Sequence, residues 1–564
     1  MTAANSDTSI ELVCRWFHRC LGRHTTCRGQ DHGPRLLPTR LVQLERQTNL
    51  SSISAKVCLT SGLPVDTTYV TLSHCWGKPP NTFLKLEKSN CDKLQREGID
   101  FDKLSNTFKD AMRMAIELGV HYIWIDSLCI IQNSKDDWAH ESKTMGDVYR
   151  FAICNIAATG YQNGETGLFR ERSKVPFSYY PLEVNCTLRV VNNNGFTIEQ
   201  ADVNGIYIRL DETDFRKTVN SGILNTRGWV AQERVLSPRI IHYTPEKIWW
   251  ECSELVANEA LPSGDYKRWY DLGQMSIIPK LKKTDKKAAY AIWREFTSVY
   301  AGTAITEKTD RFPAMAGVAR VVGDLLDDNL VAGFWERDIV RSLAWIYDDK
   351  IESIPDSQPA PSWSWASLDT KLRNYGHLIC CSEVSADKMS WISFKVLSRN
   401  QSFMSDLQSP LSEGSAVCGL GIRGPLRTLP LDFLEKIERL KTLITKIVRY
   451  DITEMVPALR ENLPEGQRWR RNESTHALLL SKMNDTGLCG LILQQVSEAE
   501  LEGWKSQQEG LKLEDEAAFR RTGYFQLHFE SKAALDEQAR VSTTSRGSQS
   551  LLFEECGLQD FYLI

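Results

Sequence analysis

Between Tyr69 and Ala158 the chain alternates strand-length apolar runs with helically spaced ones, and this alternation restricts the fold more than any other feature. Tyr69-Val-Thr-Leu-Ser73 reads as a core strand running into His74-Cys75-Trp76-Gly77, where glycine permits the unusual backbone of a strand exit. Phe108, Met112, Ala115 and Leu118 then recur at helical spacing, and Gly119 stands where a C-cap belongs. The apolar run Tyr122-Ile-Trp-Ile-Asp126 follows, then a helix over 136–150, then Ile153-Cys-Asn-Ile-Ala-Ala158. A β-α-β-α-β succession implies a parallel sheet with crossover helices. Ligands of such sheets bind beyond the carboxyl ends of the strands, where Ser73, Trp76 and Asp126 fall.

If Trp138 opens the second helix, then Trp138, Met145, Val148, Tyr149 and Ala152 form one apolar stripe that contains Glu141. Burial disfavours the charged form of a carboxyl group, so an acid on such a stripe either meets a cation or lines a crevice. Glu141 is therefore the leading catalytic candidate, with Asp126 second. The competing reading is an ion pair with Arg227, Arg234 or Arg239.

At 564 residues the chain exceeds one ordinary core, and roughly 100–200 residues per domain suggests several units. A net charge of -4 gives no global pull toward nucleic acid. No stretch has the length and apolarity of a membrane span, and the amino-terminal residues are polar where a secretory signal needs an apolar run, so a soluble cytoplasmic protein is expected. Fifteen cysteines, odd in number and scattered through apolar segments, fit reduced thiols. Cys14, His18, Cys20, His24 and Cys27 crowd one segment, but their spacing matches no familiar ligand pair, so they read as residues of an amphipathic helix and no metal is expected. Cys129, with His74 or His121, reads as a buried thiol rather than a nucleophile.

Other chemistry drops out. Gly419-Leu-Gly-Ile-Arg-Gly424 fits G-x-G-x-x-G, yet Pro425 and Pro430 occupy the place of the phosphate-binding helix, leaving a glycine-bearing strand. His140-Glu141 begins like a zinc-protease motif, but Thr144 stands where the second histidine is needed. No phosphate loop and no G-x-S-x-G elbow is present.

Along the chain, residues 1–64 read as an approach segment and 65–255 as the α/β domain, closed by strands at Ile240–Tyr243 and Ile248–Cys252. A polar interval precedes the short helix of Asn225–Leu236, ended by Ser237-Pro238, whose Trp229, Gln232, Glu233 and Leu236 share one face. Residues 256–400 read as a helical region, 401–414 as a linker, and 415–564 as an α+β region with strands near 416–422, 476–480, 487–495 and 522–529. Residues 536–550 read as a mobile stretch.

Three blocks together, Tyr69–Gly77, Tyr122–Gln132 with Glu141, Met145 and Tyr149, and Arg227-Gly-Trp-Val-Ala-Gln-Glu-Arg-Val-Leu-Ser-Pro-Arg239, resemble the signature blocks of the heterokaryon incompatibility (HET) domain. Weaker echoes lie at Asp310–Ala314, Gly333-Phe-Trp335 and Pro361–Trp365, while His74 and Ile131 depart from the family's usual residues. The resemblance implies a filamentous-fungal effector of self/non-self recognition and programmed cell death, with a parallel-sheet, TIR-like (flavodoxin-like) fold. TIR-like enzymes cleave the nicotinamide-ribose bond of NAD with a glutamate in a Trp-Cys-x-x-Glu setting, and Trp138-Ala-His-Glu141 sits comparably, one residue shorter. On that analogy Glu141 is the catalyst, and Ser73, Trp76, Gly77, Asp126, Trp138 and Arg227 hold NAD as substrate, with no further cofactor. The rival expectation is a non-enzymatic module acting through a protein partner or self-association, since fold does not establish activity.

Overall fold

The computed structural model describes residues 7–28, 36–46, 53–80, 83–170, 180–191, 197–209, 215–264, 284–347, 360–367, 378–380, 393–398, 417–428, 444–450, 475–483, 487–506, 517–529 and 558–563. The chain forms two compact units: Met1–Glu141, Asp147–Asn225 and Leu236–Lys280 make the first, and Ser142–Gly146, Thr226–Val235 and Leu281–Ile564 the second.

In chain order the elements up to residue 258 are α1 (Asp7–Arg23), α2 (Thr25–Arg28), β1 (Arg40–Arg46), β2 (Ile53–Leu59), β3 (Val70–Ser73), α3 (Cys91–Arg96) and α4 (Asn106–Glu117). There follow β4 (Tyr122–Trp124), the one-turn α5 (Asp126–Cys129), α6 (Lys135–Phe151), β5 (Cys154–Ala157), the hairpin of β6 (Tyr180–Val191) and β7 (Thr197–Arg209), α7 (Gly228–Leu236), β8 (Arg239–Tyr243), β9 (Ile248–Cys252) and β10 (Val256–Asn258). One eight-stranded sheet of the first unit runs β10-β9-β8-β5-β3-β4-β1-β2. Its centre, β8-β5-β3-β4, is parallel, and antiparallel pairings add β9 and β10 on one side and β1 and β2 on the other. The protein is thus mixed α/β with a parallel core. Every residue of β3, β5, β8 and β9 is buried, as expected of strands covered on both faces.

The helices follow their sequence signals closely. Ser105 caps α4, its Oγ accepting from Phe108 N at 3.3 Å, and Gly119 beyond the helix takes the left-handed conformation with φ 76°. Phe108, Ala111, Met112 and Ala115 are buried along its inner face, and each large apolar side chain of that kind contributes about 1.5–3 kcal/mol on burial. α6 opens at Lys135 rather than Trp138, because Ser134 is its N-cap. β4 ends at Trp124, so Asp126 begins a helical turn instead of closing the strand.

Two expectations need extending. The approach segment supplies β1 and β2 to the central sheet, and the polar interval carries the β6–β7 hairpin. β1 escapes a hydrophobic reading because Arg40, Gln43, Glu45 and Arg46 interrupt it, although Arg40, Leu41, Val42 and Leu44 are buried.

In the second unit the helices Lys286–Ala301 and Ala316–Leu326 accompany a cluster of buried tryptophans. Trp293 Nε1 donates to Gly333 O at 3.1 Å, Trp345 Nε1 to Trp363 O at 2.8 Å, and Ser364 Oγ to Ala332 O at 2.7 Å, so the two Trp-bearing echoes pack together. Gly333 has φ 89°, and a Cβ there would lie 2.7 Å from Trp365 Nε1. Further on, the strands Val417–Thr428, Thr475–Met483, Gly487–Gln495, Ala518–Phe529 and Leu558–Leu563 pair in a closed ring. The glycines of the G-x-G-x-x-G stretch lie inside the first of these strands. Residues 401–414 and 536–550 lie outside the described residues.

Candidate functional site

Counted along the chain, the parallel strands stand in the spatial order second, first, third, fourth. The direction in which successive strands are added therefore reverses at β3, and the crevice at such a switch point, beyond the carboxyl ends of the strands, is the usual ligand site of an open α/β sheet. A hollow of about 220 Å³ lies there, lined from the loop after β3 by Trp76, Gly77 and Lys78, from the loop after β5 by Asn163, and from the approach to α4 by Lys103 and Ser105. Phe83 and Lys103 also border a neighbouring hollow of about 500 Å³.

Close backbone approach shapes the walls. Gly77 has φ +82°, and a Cβ on it would stand 3.0 Å from Asn163 Cβ; a Cβ on Gly164 would stand 2.7 Å from Ser105 Oγ. Trp76 is half-buried, its Nε1 donating to Asp126 Oδ2 at 2.8 Å and Lys85 Nζ lying 5.2 Å from its ring centroid. Asp126 Oδ1 accepts from Ser127 N at 2.7 Å and lies 3.8 Å from His74 Nδ1. Asp126 thus braces the indole that walls the crevice.

Trp76, Gly77 and Asp126 meet at this end of the sheet, but Ser73 does not line the hollow. It is buried, bonded to Asn155 through Oδ1 at 3.3 Å and Nδ2 at 3.0 Å across the β3–β5 pair. Trp138 is half-buried in the first turn of α6. Arg227 belongs to the second unit, where it bridges in parallel to Ala304.

Glu141 is 1% exposed and lines neither hollow. Its cationic neighbour is Arg40 of β1, with Nη1 3.5 Å from Oε1. Arg40 is fixed in turn by Asp137, Nη2–Oδ1 2.6 Å and Nη1–Oδ2 3.1 Å, and by Cys129 O at 3.0 Å. Burial pushes the Glu141 carboxyl above its ordinary range; a hydrogen bond from Thr39 and the charge of Arg40 pull the other way. Among its described contacts Arg239 meets Cys20 Sγ, Ile153 O and Cys27 O. Arg40 went unrecognised because its strand did, and a lone arginine in a weak apolar pattern is the only signal it leaves.

The third block belongs with residues 303–310. Gly228 N donates to Ala304 O at 2.9 Å, Ala304 N to Thr226 O at 2.7 Å, and Trp229 Nε1 to Asp310 Oδ2 at 3.1 Å. Gln232 is 1% exposed, and neither atom of its amide has a hydrogen-bond partner among the described residues.

Two nucleophile arrangements are sealed. Cys129 is fully buried, which pushes its thiol up. Thr159 Oγ1, His242 and Glu251 form a chain of 2.9 and 2.8 Å contacts that resembles a catalytic relay, yet all three side chains are buried, so it braces β8 and β9. Cys20, His24 and Cys27, read as parts of an amphipathic helix, converge instead with Cys252. Among the described residues no helix is long and apolar enough to cross a membrane.

Residues 69–233 match the family model described as heterokaryon incompatibility protein (HET). No curated protein and no solved structure matches the chain. The family match begins at β3, contains the crevice, Asp126 and Glu141, and ends within α7, so it spans the three sequence blocks up to Glu233. The match of residues 69–233 to the HET family model agrees with the three sequence blocks and points to heterokaryon incompatibility.

Proposed function

We propose that the chain is an effector of fungal heterokaryon incompatibility, acting in the cytoplasm as a non-enzymatic signalling module that triggers cell death through a protein partner or self-association. The observation that carries this reading is the state of Glu141. Hydrolysis of the nicotinamide-ribose bond passes through an oxocarbenium-like state, so a carboxylate serving it must be ionised and must reach the ribose. Glu141 is almost wholly buried, held toward its neutral form by burial, and neighboured by a pinned arginine. Its position fits a joint between β1 and α6.

NAD hydrolysis is the second reading, favoured by the strand order, which follows that of flavodoxin-type sheets and suits a TIR-like fold, and by Trp76 and Gly77 at the crevice. NAD content in fungal cells expressing wild type or Glu141→Gln, with folding checked, separates the two. The expected result is unchanged NAD in both, with death persisting in wild type. NAD loss in wild type that Glu141→Gln abolishes would replace the signalling reading with the enzymatic one.

A further inference from the structure

Four side chains distant in sequence converge where α1 ends. Cys20 lies in the last turn of α1, His24 between α1 and α2, Cys27 in α2, and Cys252 at the end of β9. All four are buried, and their sulfur and imidazole nitrogen atoms lie within 4.8 Å of one another. His24 Nδ1 stands 3.4 Å from Cys252 Sγ and 3.8 Å from Cys27 Sγ. Around a tetrahedral zinc, with Zn–S about 2.3 Å and Zn–N about 2.0 Å, a sulfur and a nitrogen ligand stand about 3.5 Å apart. The two separations bracket that distance.

Buried cysteines alone are ordinary, since a thiol packs as a small hydrophobe. Two features here call for charge. An imidazole nitrogen faces the sulfurs, and the buried guanidinium of Arg239 donates Nε–H to Cys20 Sγ at 3.1 Å. Among the described residues no carboxylate pairs with Arg239; its other contacts are the carbonyls of Ile153 and Cys27. A buried cation without an anion is costly, and a metal-bound thiolate supplies one.

We propose that Cys20, His24, Cys27 and Cys252 bind one structural zinc ion through three thiolates and a neutral imidazole. On binding, the three thiols release their protons to solvent and each sulfur lone pair forms a bond to zinc, as does His24 Nδ1. Zn²⁺ with three thiolates carries one net negative charge, which Arg239 balances. All four coordination positions are filled by protein, so the ion is structural, tying α1 and α2 to the end of β9. Cys20 and His24 stand one helical turn apart, and the break between the helices turns Cys27 inward.

Metal analysis of the full chain purified without chelators tests this. The expected content is one zinc per chain, lost in Cys20→Ser and Cys252→Ser and kept in Cys91→Ser. Where a ligand variant fails to fold, cobalt(II) exchanged into wild type gives the intense visible absorption of a tetrahedral thiolate site. Wild type that purifies metal-free and shows no such spectrum with cobalt, zinc retained undiminished in a folded Cys20→Ser/Cys252→Ser variant, or a disulfide among these cysteines would each overturn the assignment.

Discussion

At the scale of single residues, Glu141 and Arg40 decide most. Removing one partner of a buried pair leaves an uncompensated charge and costs about 3–5 kcal/mol, whereas a neutral isostere of the acid keeps shape and hydrogen bonding. Arg40→Met should therefore lower stability by about that amount in urea denaturation, and Glu141→Gln by no more than about 1 kcal/mol. The pH dependence follows from the raised pKa of Glu141. The folded state then holds this proton more tightly than the unfolded chain, so its contribution is full below the ordinary carboxyl range and is lost as pH rises through the elevated folded pKa. Between about pH 4 and 7, the urea midpoint of Glu141→Gln should gain on wild type as pH increases; a constant difference would mean that the carboxyl is not shifted. Gln232 presents the opposite case. Its amide, without a partner among the described residues, costs about 1–3 kcal/mol, so Gln232→Leu should be neutral or stabilising, and a loss above about 1 kcal/mol would reveal a partner. Glu141 was legible in sequence as a buried acid on a helical stripe, but Arg40 beside it was not. Pairing is a property of the sheet, where β1 lies beside β4, and helical spacing carries no information about that neighbour.

At the scale of elements, legibility followed how many sides an element buries. β3, β5, β8 and β9 are covered on both faces and read as continuous apolar runs, so their positions were plain from sequence. β1 and β2 have exposed positions and polar interruptions, and the long β6–β7 hairpin runs through residues as polar as Asn185, Asn204 and Asp202, which hid them. The crevice was legible in part: Trp76 and Gly77 follow from the strand exit, whereas Asn163 and Ser105 arrive through tertiary packing. That packing is testable through α4. Gly164→Ala would drive a Cβ to 2.7 Å from Ser105 Oγ, the cap of α4, and loss of such a cap costs about 1 kcal/mol. Because both changes act through one hydrogen bond, the Ser105→Ala/Gly164→Ala double variant should lose less stability than the sum of the singles. Strict additivity in urea unfolding would show that the loop after β5 does not bear on the cap.

At the scale of the whole molecule, the family match and the folding unit have different limits. The matched residues 69–233 retain β3, β4 and β5 of the central sheet but leave out β1 and β2 on one side and β8, β9 and β10 on the other. A fragment of that length would present β4 and β5 as unpaired edges, and open apolar edges invite aggregation. It would also remove Arg40 from beside the buried Glu141. Ser9 Oγ bonds Glu259 Oε1 at 2.7 Å, Trp16 Nε1 bonds Pro262 O at 2.7 Å, and Arg239 reaches Cys20, so α1 is joined to the segment after β8 by contacts that the matched stretch does not contain. A fragment of residues 7–264 contains every strand of the eight-stranded sheet and both ends of these contacts. It should unfold cooperatively in urea, with one transition seen by near-ultraviolet circular dichroism and by tryptophan fluorescence, while the 69–233 fragment should give no cooperative transition. A cooperative transition in the shorter fragment would mean that three parallel strands and their helices carry a sufficient core, and that the flanking strands are additions to a HET domain already able to fold. Failure of the longer fragment would mean that the eight-stranded sheet does not fold without residues beyond 264.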